Sequence, residues 1–84
     1  MSVGVKPIMK VKVRSNINDY LNSRGTTKSW VAEKMGLKRA QIQNWSTNKE
    51  NGEAKMQPSI GYVLKMAKVL ECKVEDLYEM IEEE

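Results

Sequence analysis

Apolar residues recur at helical spacing in five places along this chain, and the gaps between them hold residues that stop helices. Ile17, Tyr20 and Leu21 mark the first helix, which Ser15 or Asn16 can cap and which runs to Ser23 or Arg24 before Gly25. Val31, Ala32 and Met35 mark the second, with Thr26 or Thr27 as its cap and Gly36 as its stop. Ile42 and Trp45 mark a third from about Arg39 to Ser46 or Thr47, and Asn48 can take the left-handed conformation at its end. Ser59 caps a fourth, striped by Ile60, Val63, Leu64, Ala67 and Leu70. A fifth covers about Val74 to Ile81, with Leu77, Met80 and Ile81 facing inward.

The N-terminus follows a different period. Val3, Val5, Met9, Val11 and Val13 take odd positions, while Lys6, Lys10, Lys12 and Arg14 take even ones. That alternation predicts a half-buried strand, interrupted at Pro7 and best between Met9 and Val13. A lone strand is unstable, so it needs a partner. The Glu53–Gln57 segment or the same strand of a second copy can supply one. A disordered basic arm is the alternative. Lys49 to Gln57 reads as a loop with an Asn51-Gly52 turn.

The segment from Lys28 to Trp45 carries the most information. Two helices that cross steeply need a small residue where their backbones approach, and Ala32 supplies it. The tight turn needs a left-handed residue, which Gly36 provides without steric cost. Leu37 then anchors the turn, and the next helix carries Arg39, Gln41, Gln43 and Asn44 on polar faces. The pattern is a helix-turn-helix.

Eighty-four residues make one small domain, read as an extended basic arm at 1–14 and a helix-turn-helix domain at 15–84. Charge sharpens this picture. The net charge is only +3, yet residues 1–49 hold ten Lys/Arg against two acids, and residues 50–84 hold four Lys against nine acids. The basic half contains the helix-turn-helix and suits a polyanion. The single cysteine, Cys72, cannot form an internal disulfide, fits a reducing cytoplasm and reads as core packing. With no run of ~18 apolar residues, no membrane span is expected. No secretion signal is evident. The chain has no His, no metal-ligand cluster and no glycine-rich phosphate loop, so neither an enzyme, a cofactor, a metal nor a small-molecule ligand is expected.

The order of parts resembles the Cro/repressor helix-turn-helix family, lambda-repressor-like and also known as the XRE family. The residues that carry the resemblance are V-A-E-K-M-G-L around the turn, I-Q-N-W in the third helix, and P-S-I-G-Y-V-L-K-M-A-K-V-L-E-C-K-V-E-D-L in the last two. The similarity runs from about Ile17 to Tyr78 and implies an all-α, five-helix bundle, here with a short N-terminal β-like arm. Ser46 and Asn48 stand where the family often has Glu and Gly, and the loop before Pro58 is several residues longer than usual.

The resemblance implies that the third helix enters a DNA major groove with its N-terminal end leading. Arg39 and Ala40 then sit where the first base-reading side chains lie, with Asn44 one turn further on. Arg39 can donate to guanine O6 and N7, Asn44 can pair with adenine N6 and N7, and Ala40 can pack on a thymine methyl. Gln43 is a further base contact. Thr27, Lys28, Ser29, Lys38, Gln41 and Lys49 are expected at the DNA backbone, with Lys55 a lesser candidate. Trp45 is expected in the core. Trp30 is left between the N-terminal strand and the DNA backbone.

These readings make the chain a sequence-specific regulator of transcription, a Cro-like repressor from a phage or mobile element, bound as a homodimer to an inverted repeat. Its expected place is the cytoplasm of a bacterial or phage-infected cell, on the nucleoid. Met9, Val11 and Val13 on the arm, or Leu77 and Ile81 at the other end, are candidate dimer contacts. An antitoxin with a protein partner, and a protein-interaction adaptor that does not read DNA, are the alternatives.

Overall fold

A computed structural model describes residues 11–81. In chain order they form β1 (Lys12–Ser15), α1 (Ile17–Arg24), α2 (Lys28–Met35), α3 (Arg39–Ser46), α4 (Ile60–Leu70), α5 (Val74–Leu77) and β2 (Tyr78–Ile81). The five expected helices are present, together with a two-stranded antiparallel sheet.

Local chemistry fixes the helix ends around the turn. Thr27 is extended and its hydroxyl accepts the Trp30 N–H at 3.0 Å, satisfying one of the free donors at the start of α2. Gly25 closes α1 at φ 67° and Gly36 closes α2 at φ 72°. The Leu37 N–H then returns to the Ala32 carbonyl at 2.9 Å, which holds the turn between α2 and α3.

One core joins all five helices. Ile17 and Leu21 of α1, Val31, Ala32 and Met35 of α2, and Ile42 and Trp45 of α3 meet Met66, Ala67 and Leu70 of α4 and Leu77 of α5. The Trp45 ring lies tilted on Tyr62, with centroids 5.5 Å apart. Its expected core role and the small residue at Ala32 therefore hold.

The end of the chain departs from the periodic reading. The fifth helix stops at Leu77 rather than continuing to Ile81, and Tyr78 to Ile81 pair with β1 in the register Lys12–Ile81, Val13–Met80, Arg14–Glu79 and Ser15–Tyr78. The physical reason is competition for backbone partners. The N-terminal strand has unpaired N–H and C=O groups, and β2 satisfies them in the same chain. Spacing at 77, 80 and 81 did not distinguish a helical turn from a strand in which Tyr78 and Met80 share a face. Met80 is accordingly 63% exposed rather than inward.

Within the chain the strand partner is thus β2 rather than Glu53–Gln57, although the Ala54 N–H does donate to the Val13 carbonyl at 2.7 Å. The strand lies at 12–15 and ends two residues later than the alternation favoured; Met9 and the rest of 1–10 lie outside the described residues. On α4, Val63, Met66, Ala67 and Leu70 are buried, whereas Ile60 and Leu64 are 70% and 56% exposed. The buried stripe is rotated away from those two because α2 and α5 pack on the other side. Among the described residues, no helix is long and apolar enough to cross a membrane.

Candidate nucleic-acid interface

The face of α3 turned from the core carries the polar residues. Ile42, Trp45 and Ser46 are buried, which leaves Arg39, Ala40, Gln41 and Asn44 exposed and Gln43 half-buried. Ala40 and Asn44 are four positions apart and so lie on one side of the helix, with Arg39 beside Ala40. The surface can therefore present a guanidinium, a methyl and a carboxamide to a groove at once.

Two of the expected contacts have other partners. Gln41 accepts the Lys38 N–H through Oε1 at 3.3 Å, so it caps α3 and keeps its amide N–H groups for an outside acceptor. Gln43 donates to the Thr47 hydroxyl at 3.5 Å, which turns it toward the end of the helix. Lys38 and Arg39 are exposed at the start of α3. Ser29 is exposed and Lys28 half-buried at the start of α2, next to the Thr27 cap. Trp30 is 41% exposed on α2, with the Lys34 ammonium 5.5 Å from its ring centroid.

The loop after α3 is a small hairpin-like bend. Gly52 at φ 91° turns it, and its N–H donates to the Lys49 carbonyl at 2.8 Å. Lys49 also sits 3.5 Å from the Glu53 carboxylate, so its charge is partly answered within the loop. Backbone bonds from Lys49 to Glu53 and from Lys55 to Thr47 tie the loop to the end of α3.

The far end of α3 is held by contacts from distant parts of the chain. Asn48 is not left-handed, because Thr47 leaves the helix extended at φ −90°, ψ 135°. The Asn48 carboxamide instead pairs with Ser15, accepting its N–H and donating to its carbonyl, both at 2.9 Å. Tyr78 donates its hydroxyl to the Trp45 carbonyl at 3.2 Å, and Asn18 donates to the Ser46 carbonyl at 3.2 Å. Burial pushes the Tyr78 hydroxyl up to about 12. These partners are 28 to 33 positions apart in sequence, and no local motif announces them.

The possible dimer residues divide. Leu77 is fully buried in its own core, and so is corrected from a contact between copies to a contact within one. Val11 is exposed, while Val13 and Ile81 are half-buried in the sheet.

With this geometry in place, comparison with known proteins places the chain in a class. Residues 16–83 match the Cro/C1-type HTH DNA-binding domain, and the chain belongs to that family. Among solved structures it is similar to a protein from Bacteroides fragilis provisionally described as DNA-binding, at 27% identity and a TM-score of 0.67, covering 80% of this chain and 98% of that one. It also shares its fold with the transcriptional regulator VanUg, at 18% identity and a TM-score of 0.66, covering 96% of this chain and 100% of that one. A comparison with curated proteins gives no match.

Proposed function

We propose that this chain is a sequence-specific, non-enzymatic regulator of transcription that lays α3 in the DNA major groove. The observation that carries the reading is the outward face of α3, where Arg39, Ala40 and Asn44 are exposed together while Ile42 and Trp45 anchor the helix from behind. Arg39, Ala40, Asn44 and, less directly, Gln43 read bases. Thr27, Lys28, Ser29, Lys38, Gln41 and Lys49 hold phosphates. The regulator acts in the cytoplasm as a Cro-like repressor, occupying an inverted repeat as a homodimer whose half-sites lie about one turn apart. An uncharged groove of about 330 Å³, lined by Val13, Pro58, Ile60, Val63, Val74 and Tyr78 among others, supports a contact between copies near Val13. Sedimentation tests the dimer, and a monomer at every accessible concentration removes it.

Selection of bound duplexes from a random DNA library tests the reading, run beside an Arg39→Ala, Asn44→Ala double variant. The expected result is an enriched inverted repeat that the variant no longer selects, since each bidentate contact contributes ~1–3 kcal/mol of discrimination. Salt-sensitive retention without an enriched sequence indicates phosphate-driven binding and overturns sequence reading. No retention at low salt overturns DNA binding altogether.

A further inference from the structure

The four longer helices do not end alike. α1, α2 and α4 each close on a left-handed residue, Gly25, Gly36 and Glu71, whose N–H returns to carbonyls of the same helix. Those ends close on their own backbone, and among them only α2 also takes a distant donor, a long 3.5 Å contact from the Lys65 ammonium to the Met35 carbonyl. An α-helix leaves its last four carbonyls without an intrahelical donor, and α3 has no left-handed cap to serve them. Its Gln43 carbonyl accepts the Thr47 hydroxyl at 2.9 Å. The Trp45 and Ser46 carbonyls accept Tyr78 of β2 and Asn18 of α1. Two residues past the helix, Asn48 grips the Ser15 backbone of β1 at both its N–H and its carbonyl. The end of the base-reading helix is therefore fastened to α1 and to both strands by side chains.

We propose that Tyr78, Asn18 and Asn48 are positioning residues that set the orientation of α3 on DNA, and through it the discrimination between sequences. The inference rests on the DNA reading above. Bidentate base contacts tolerate placement errors of only about 0.5 Å, whereas phosphate contacts supply sequence-independent affinity. Loosening the far end of α3 costs the first and spares the second. None of the three residues belongs to α3, so each acts by holding the helix.

The test combines two readouts on the full chain carrying Tyr78→Phe or, separately, Asn48→Ala. Amide hydrogen exchange is expected to quicken at Trp45–Lys49 and stay unchanged at Val31–Met35. Affinity for the library-selected duplex is expected to fall about two- to tenfold, the scale of one hydrogen bond, while affinity for a scrambled duplex at the same salt stays within about twofold. Equal losses on both duplexes indicate a merely structural role and overturn the proposal, as does unchanged exchange at the end of α3. If the wild-type chain selects no sequence, the DNA reading fails and the specificity claim falls with it; the exchange result still decides whether these donors hold α3.

Discussion

The turn into α3 and the junction out of it sit at the two ends of one eight-residue helix and are built in different ways. The turn is local. Gly36, Leu37 and the Gln41 cap all act within five positions of one another. The junction is made from distant parts, with α1, β1, β2 and the loop each contributing a hydrogen bond. A local device needs no distant residue to define its geometry. The junction exists only when the whole chain has folded, so the direction of the outward face of α3 depends on the sheet that is bonded to the end of the helix.

Leu77 offers the strongest way to break that arrangement. It is fully buried, and its carbonyl accepts the Asn16 N–H at 2.7 Å where β1 meets α1. Leu77→Ala removes core contacts and leaves a cavity, with an expected loss of ~2–5 kcal/mol. That is a large part of the ~5–15 kcal/mol that holds a small domain together. Urea unfolding measures it as a lowered midpoint at unchanged slope. A loss below about 1 kcal/mol is the contrary result, and it means that the junction is not built on this side chain.

The same contrast explains which parts could be read from the sequence. Gly25, Gly36 and Thr27 are residue types with one dominant local use, and they stand where the structure uses them. The stripes at Val31, Ala32, Met35, Ile42 and Trp45 needed only a period, and all five are buried. The outward face of α3 followed from those same positions. Asn48 misled because asparagine suits a left-handed cap, yet its amide found a strand backbone 33 positions away. Tyr78 misled because four residues carry too few apolar positions to separate helix from strand. Ile60 and Leu64 fitted the α4 stripe, but the neighbours of α4 decide which side of it is covered. In each case the missing information was the identity of a distant partner.

Alkaline titration sharpens the comparison at the junction alone. Burial raises the Tyr78 hydroxyl to about 12 from its ordinary 10.0. The neutral phenol is favoured in the folded chain, so its stabilisation is complete below pH 10 and is lost as pH rises through 10 toward 12. The phenol is only partly buried, so solvent screening leaves well under the full value of that shift, about 1–2 kcal/mol, and the loss falls between pH 10 and 12. Tyr78→Phe lacks this loss but also lacks the bond to Trp45, worth about 1 kcal/mol. The wild type should therefore lead in urea midpoint below pH 10, and that lead should narrow steadily between pH 10 and 12. Burial also raises Tyr20, but that residue is common to both proteins and drops out of the difference. Parallel curves would mean that the Tyr78 hydroxyl is free to ionise in the folded chain.

The smallest effect belongs to the turn, and its interest lies in being confined there. A Cβ built on Gly36 meets nothing within 4 Å, so space is not the obstacle. The obstacle is φ at 72°, where an L side chain crowds its own carbonyl. Gly36→Ala should cost ~1–2 kcal/mol, and Gly36→Asn less, because asparagine tolerates the left-handed region. Thermal or urea unfolding measures both costs. Hydrogen exchange locates them. If the turn is local, amides at Gly36–Lys38 quicken beyond the global change while those at Trp45–Lys49 follow the global stability. A selective loss at Trp45–Lys49 is the opposite outcome. It would show that strain at one end of α3 is passed along the helix, and that its two ends are one mechanical unit.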